Sequence, residues 1–188
     1  MTTIIDGSGS ADFATPLPVA EGGTGATSNI IGTVASVNML QTRTQDSYAA
    51  ANSGNGTVIT PLNITFTPKQ AGNKVILEFT VNGEGNQNQV FLVSRNDVFL
   101  TDTTDASNNR WAGIAAGAYD AQTSNTPSNY TIRILDLNTL ATESTYKVQV
   151  RSSTSSSSTF KLNRGYNSAG ANTYEAMLSV ATATEIWA

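Results

Sequence analysis

The sequence predicts an all-β protein: an antiparallel β-sandwich or jelly-roll head preceded by an extended N-terminal arm. Three observations lead there. Apolar residues alternate with polar ones at period two in one segment after another, as in strands with one buried face. No segment repeats at 3.6 residues, so no amphipathic helix is expected. About a third of the 188 residues are Ser, Thr or Asn, and only 13% are charged. Short polar side chains compete with a helix backbone for its hydrogen bonds, and they suit turns and the solvated faces of strands.

In chain order, residues 1–36 come first. They carry Pro16, Pro18 and the run Glu21-Gly22-Gly23-Thr24-Gly25-Ala26-Thr27, with few large apolar residues. Such a segment buries too little surface to fold alone and reads as an arm that orders against a partner. The head is assigned to 37–188, with strand patterning from about Met39. Val75, Leu77, Phe79 and Val81 alternate with Ile76, Glu78 and Thr80, after which Asn82-Gly83 reads as a turn. Val90, Leu92 and Ser94 alternate with Phe91 and Val93, and Arg95-Asn96-Asp97 reads as a tight turn into Val98-Phe99-Leu100. Tyr130, Ile132 and Ile134 mark a further strand, Tyr146, Val148 and Val150 another, and Phe160 and Leu162 a third. Tyr174, Ala176, Leu178 and Val180 open a last strand expected to run to Trp187. About eight short strands joined by Gly-, Asn- and Ser-rich connections fit a sandwich. The connections Thr101–Asn129 and Ser152–Ser158 are long and polar, and loops of that kind on a rigid sheet frequently carry binding.

Composition narrows function. There is no His and no Cys, which excludes disulfides, Cys/His zinc sites, Cys nucleophiles and His general bases. A net charge of −4 argues against nucleic-acid or anionic-membrane binding, which need a basic face. No apolar run is long enough to span a bilayer, and Met1-Thr2-Thr3-Ile4-Ile5-Asp6 does not open a signal peptide. The expectation is a soluble protein made in a cytoplasm, so that the Asn-x-Thr triplets at Asn55, Asn63 and Asn129 are chance matches.

No cofactor, metal or catalytic constellation is expected. Gly7-Ser8-Gly9 and Gly22-Gly23-Thr24-Gly25 lack the Lys-Ser/Thr of a phosphate loop and the strand–helix setting of a dinucleotide loop. Asp97, Asp102 and Asp105 depart from calcium-loop spacing. Glu78, Glu84, Glu143, Glu175 and Glu185 are too scattered to point to the facing carboxylate pair of a glycosidase. Arg133, Lys147, Arg151, Lys161 and Arg164 read as a solvated strand face or as inter-subunit pairs. Trp111, Tyr119 and Tyr166 lie in polar loops, where aromatic rings either stack on sugars or pack at their own contacts. Ile186 and Trp187 read as core or subunit-contact residues.

Several strings, taken in order, resemble the C-terminal head domain that recurs in phage tail-fibre and related virion proteins. They are Met39-Leu40-Gln41-Thr42, Ile64-Thr65-Phe66-Thr67-Pro68, Lys74-Val75-Ile76-Leu77, Phe91-Leu92-Val93-Ser94-Arg95 and Thr145-Tyr146-Lys147-Val148-Gln149-Val150-Arg151. Thr159-Phe160-Lys161-Leu162-Asn163-Arg164 and the closing Ala183-Thr184-Glu185-Ile186-Trp187-Ala188 continue the series. Upstream, Gly22-Gly23-Thr24-Gly25-Ala26-Thr27 is similar to a string common in tail-fibre shafts. The resemblance implies a parallel homotrimer exposed on a virion, with three arms of small residues running close to a common axis. Only about 36 residues precede the head, where family fibres carry a long shaft, and that favours a compact appendage.

The expected function is that of a non-enzymatic bacteriophage structural protein. It would dock on other virion proteins through residues 1–36 and present its head for host attachment. A capsid decoration or cement protein is one alternative. A carbohydrate-binding module holding host surface glycan through Trp111, Tyr119 and Tyr166 is the other.

Overall fold

Period-two alternation is realised as two antiparallel sheets packed face to face. The computed structural model describes residues 34–52, 54–101, 104–105, 110–117, 126–137, 139–153, 157–167 and 175–187. The Gly22–Gly25 run and Tyr119 lie outside them, as do the side chains of Asp102, Asp105 and Trp111.

The first sheet contains β1 (Val34–Thr42), β2 (Ser47–Ala50), β5 (Lys74–Gly85), β11 (Ser128–Asp136), β13 (Ser158–Leu162) and β14 (Ser179–Ile186). Its spine is β5. Thr80 faces both Thr131 and Val180, and Gly83 faces both Ser128 and Leu162. A strand has two edges, so β11 fills one of them while β14 and β13 share the other end to end. In turn β1 pairs with β14, and β2 pairs with β13. The sheet is therefore four strand-lines wide, and two of those lines are interrupted.

Asn163 stitches the interruptions. It is buried, in the left-handed region (φ 56°), and its amide Nδ2 donates to the carbonyls of both Thr42 and Thr44. Its Oδ1 accepts from Ser179 Oγ at 2.6 Å, its N–H donates to the Asn82 carbonyl, and its own carbonyl accepts from Met177 N–H. The excursion from Arg164 to Leu178 thus leaves and rejoins one strand line at a fixed point.

The second sheet contains β3 (Thr57–Val58), β4 (Ile64–Phe66), β6 (Gln89–Arg95), β7 (Val98–Phe99), β10 (Ala115–Gly117) and β12 (Ser144–Ser152). β6 and β12 pair at its centre, with β10 and β7 on the outer edge of β6 and β3 and β4 on that of β12. A separate pair, β8 (Thr104–Asp105) and β9 (Arg110–Trp111), lies in the long polar connection after Leu100. The turn expected at Arg95-Asn96-Asp97 is present. Asn96 and Asp97 both have positive φ (48° and 66°), as a two-residue primed hairpin requires.

Between the sheets lie Val75, Leu77, Phe79 and Val81 from β5, Ile132 from β11, and Ala181 and Ala183 from β14. They meet Phe91 and Val93 from β6 and Tyr146, Val148 and Val150 from β12. Phe160 packs edge-on to Phe91 with ring centroids 5.6 Å apart. Each such side chain contributes about 1.5–3 kcal/mol by leaving water, so this layer dominates stability.

Four sequence expectations are corrected. Asn82-Gly83 is not a turn, because β5 runs on to Gly85; a Cβ on Gly83 would stand 2.3 Å from the Lys161 carbonyl, so glycine serves close strand approach. The last strand starts at Ser179 rather than Tyr174, and its inward row is Ala181, Ala183 and Glu185, not Val180. Small alanines fit there because Phe79 and Leu77 stand opposite them. β6 is buried on both faces, Leu92 and Ser94 as fully as Phe91 and Val93. Arg151, expected on a solvated face, is buried, because its guanidinium donates to the Gly54 and Ala112 carbonyls of loops that fold over the sheet.

Candidate functional site

The outer face of the first sheet follows from its register. Val37, Thr184, Ile76 and Leu135 stand side by side across β1, β14, β5 and β11. Below them Val34 faces Ile186, and above them Met39, Thr182, Glu78 and Arg133 form the next row. At ~4.8 Å between neighbouring strands, the face is some ~14 Å wide. Val34, Val37 and Met39 are 57–59% exposed, and Leu135 is 42% exposed. Leu137 and Leu140, just beyond β11, are exposed as well. Between Ile76, Arg133, Ile134, Leu135 and Ile186 lies a shallow hollow of about 310 Å³. Lone exposed apolar residues are ordinary, but a contiguous apolar area rimmed by polar groups marks an interaction surface. The Arg133–Glu78 ion pair (3.3 Å) is that rim.

Beneath this end the sheet is held rigid from inside. Glu185 is fully buried and accepts from Ser36 Oγ (2.6 Å), Asn73 Nδ2 (2.7 Å) and the backbone N–H groups of Lys69 (2.8 Å) and Gln70 (3.4 Å). Burial alone would raise its pKa. The four donors outweigh that and hold the carboxyl below the usual carboxylate value.

A second feature lies at the edge of the sandwich, in a hollow of about 250 Å³ between β7 and the end of β11. Val98, Phe99, Leu100, Leu135 and Leu137 line it, with Arg95 and Asp136 below. Arg95 Nη1 donates to both Asp136 oxygens (3.0 and 2.7 Å), and Tyr146 Oη donates to Asp136 Oδ2 at 2.9 Å. Burial first, then the Asp136 charge, push the Tyr146 phenol far above its ordinary pKa. A phenol so held is no proton donor near neutrality, and the trio reads as a structural clasp between the sheets.

A third feature surrounds Ser47, at the far end of the outer face. Lys161 Nζ and Arg164 Nη2 both donate to Ser47 Oγ, at 2.9 and 3.1 Å. Lys161 also stands 5.4 Å from the centre of the Tyr166 ring, and Tyr166 N–H donates to the buried Glu84 carboxylate.

Of the residues singled out in sequence, Ile186 falls on the apolar outer face and lines its hollow, while Trp187 is half-buried just after β14. Tyr166 is half-buried beside the Lys161 ammonium. Trp111 pairs with Thr104 through its backbone. Asp97 is ion-paired with Lys147 at 2.7 Å. Among the described residues no group of three acids could hold a metal ion, and no helix is long and apolar enough to cross a membrane. Sequence reasoning missed Val37, Met39, Leu135 and Ser47. The available signal was in β1, where apolar residues supply both faces of a strand that needed only one.

No family model matches the chain, and no curated protein matches it. Among solved structures it is similar to dimeric latent PorU from Porphyromonas gingivalis, at 8% identity and a TM-score of 0.42. That match covers 85% of this chain and 13% of the other, so the chain spans a small part of that protein's length.

Proposed function

We propose that this chain is a non-enzymatic structural protein of a bacteriophage particle, an appendage-type homotrimer. The N-terminal segment, read in sequence as an arm over 1–36 but entering the sheet at Val34, anchors it to other virion proteins, and its β-sandwich head projects outward, available for host attachment. The observation that carries the reading is the apolar outer face around Val37, Ile76, Leu135 and Ile186. Exposed apolar rows on a flat sheet are costly in water and are relieved when copies of the chain cover them. The ordered strings that resemble tail-fibre heads supply the particle, and the neutral Ser/Thr/Asn surface suits a protein exposed for long periods.

Native mass spectrometry of the full chain at micromolar concentration tests the assembly. Three chains are expected, and Val37→Glu with Met39→Glu should shift the population to one. A wild-type monomer sinks the trimer. Imaging of labelled phage particles tests the location, and absence from purified particles ends the virion reading.

A further inference from the structure

At Ser47 two cations share one neutral hydroxyl. Lys161 and Arg164 converge on one hydroxyl oxygen, and that oxygen has only two lone pairs, so both are taken. The Ser47 proton is therefore directed away from them, on an exposed residue. Among the described residues, neither cation has a carboxylate oxygen within 4.0 Å. The acids nearby are turned elsewhere. Glu84, opposite Lys161 in the register, accepts the Tyr166 N–H, and Asp46 accepts the Tyr48 hydroxyl. Arg164 Nε is shielded from solvent and has no acceptor among the described residues.

Two like charges on one acceptor, with donors left over, form an incomplete hydrogen-bond set. We infer that Ser47, Lys161 and Arg164 form a binding site for an oxyanion, a carboxylate or a phosphate. Lys161 supplies a point charge steadied by the Tyr166 ring, Arg164 a planar donor fork, and Ser47 a hydroxyl between them. Burial and then the Arg164 charge lower the Lys161 pKa, and a bound anion opposes both effects. The site stands whether or not the chain belongs to a virion. A uronic-acid sugar and a phosphodiester polymer both carry the chemistry it takes.

Calorimetric titration of the full chain with glucuronate, with inorganic phosphate and with glucose at fixed ionic strength tests the inference. Glucuronate or phosphate binding with no response to glucose is expected, and the tighter of the two identifies the source. Lys161→Gln and Arg164→Gln should each weaken binding roughly tenfold, the loss of one charge-assisted hydrogen bond. Ser47→Ala, which removes only an exposed hydroxyl, should weaken it less and keeps the test open should either charge variant fail to fold. On binding, the Lys161 ammonium should titrate at higher pH by NMR. Equal affinity in wild type and the folded double variant, or no response to either anion, overturns the site.

Discussion

Ser36 Oγ donates to Glu185 Oε2 across 2.6 Å, tying the edge strand β1 to β14 from inside the sandwich. The same carboxylate holds the Lys69–Asn73 turn, so one buried charge joins three parts of the chain. Because its folded pKa lies below the unfolded value, its contribution is complete above the ordinary carboxylate pKa. It is lost as pH falls through the lower, folded value.

Glu185→Gln should therefore lower stability at neutral pH by about 1–3 kcal/mol, as expected for loss of a charge that satisfies several donors. In urea melts the gap between wild type and variant should close as pH drops from 7 toward 3. A gap that widens in acid would mean the charge is a burden to the fold.

Two glycines separate close approach from backbone conformation. Gly83→Ala places a Cβ 2.3 Å from the Lys161 carbonyl and 2.5 Å from the Phe160 ring, in the middle of paired strands. A loss of about 3 kcal/mol or more is expected. Gly72→Ala meets nothing within 4 Å but must hold φ at +88°, so about 1 kcal/mol is expected. Thermal melts of the two variants should rank in that order.

Asp136→Asn should cost about 3–5 kcal/mol, because Arg95 keeps its charge and loses the carboxylate that balances it. Tyr146→Phe removes one hydrogen bond and should cost about 1–2 kcal/mol. If the Asn variant proves the milder of the two in urea, the clasp contributes little through its charge.

Asn163→Ala removes two bonds to the Thr42 and Thr44 carbonyls and leaves a non-glycine residue at positive φ. About 2–4 kcal/mol should be lost. Asn163→Gly relieves the backbone and isolates the side-chain share, and hydrogen exchange at Leu162 and Met177 should report the local opening in both.

Much of the fold was legible because period-two alternation is a direct image of a sheet with one wet face, and Val75 to Val81 reads that way without ambiguity. It failed where the outside of a sheet is not wet. Leu92, Ser94 and Arg151 are buried on the face turned away from the core, and local pattern carries no trace of the loops whose carbonyls hold Arg151. It failed again at Glu185, since an inward carboxylate breaks alternation unless its donors are known, and all four lie more than a hundred residues away in sequence. Asn82-Gly83 misled because the same dipeptide serves a hairpin or a close strand crossing. The candidate sites were less legible than the fold. Tyr166 was visible as a loop aromatic, but only pairing of β13 with β2 brings Ser47 beside Lys161.

The join at Asn163 also bears on how this protein can change. The chain leaves the sheet after Asn163 and returns at Ser179, and these two side chains are bonded to each other. Whatever sequence spans the gap, the sheet on either side keeps its register, because the closure is made by the join and not by the span. The stretch between Tyr166 and Ala176, which leaves the cluster at Ser47 and the bond from Met177 to Asn163 in place, is in effect a cassette. It can be lengthened, shortened or exchanged with little penalty to the head, which makes it the place to graft a foreign epitope and the place where related chains should differ most.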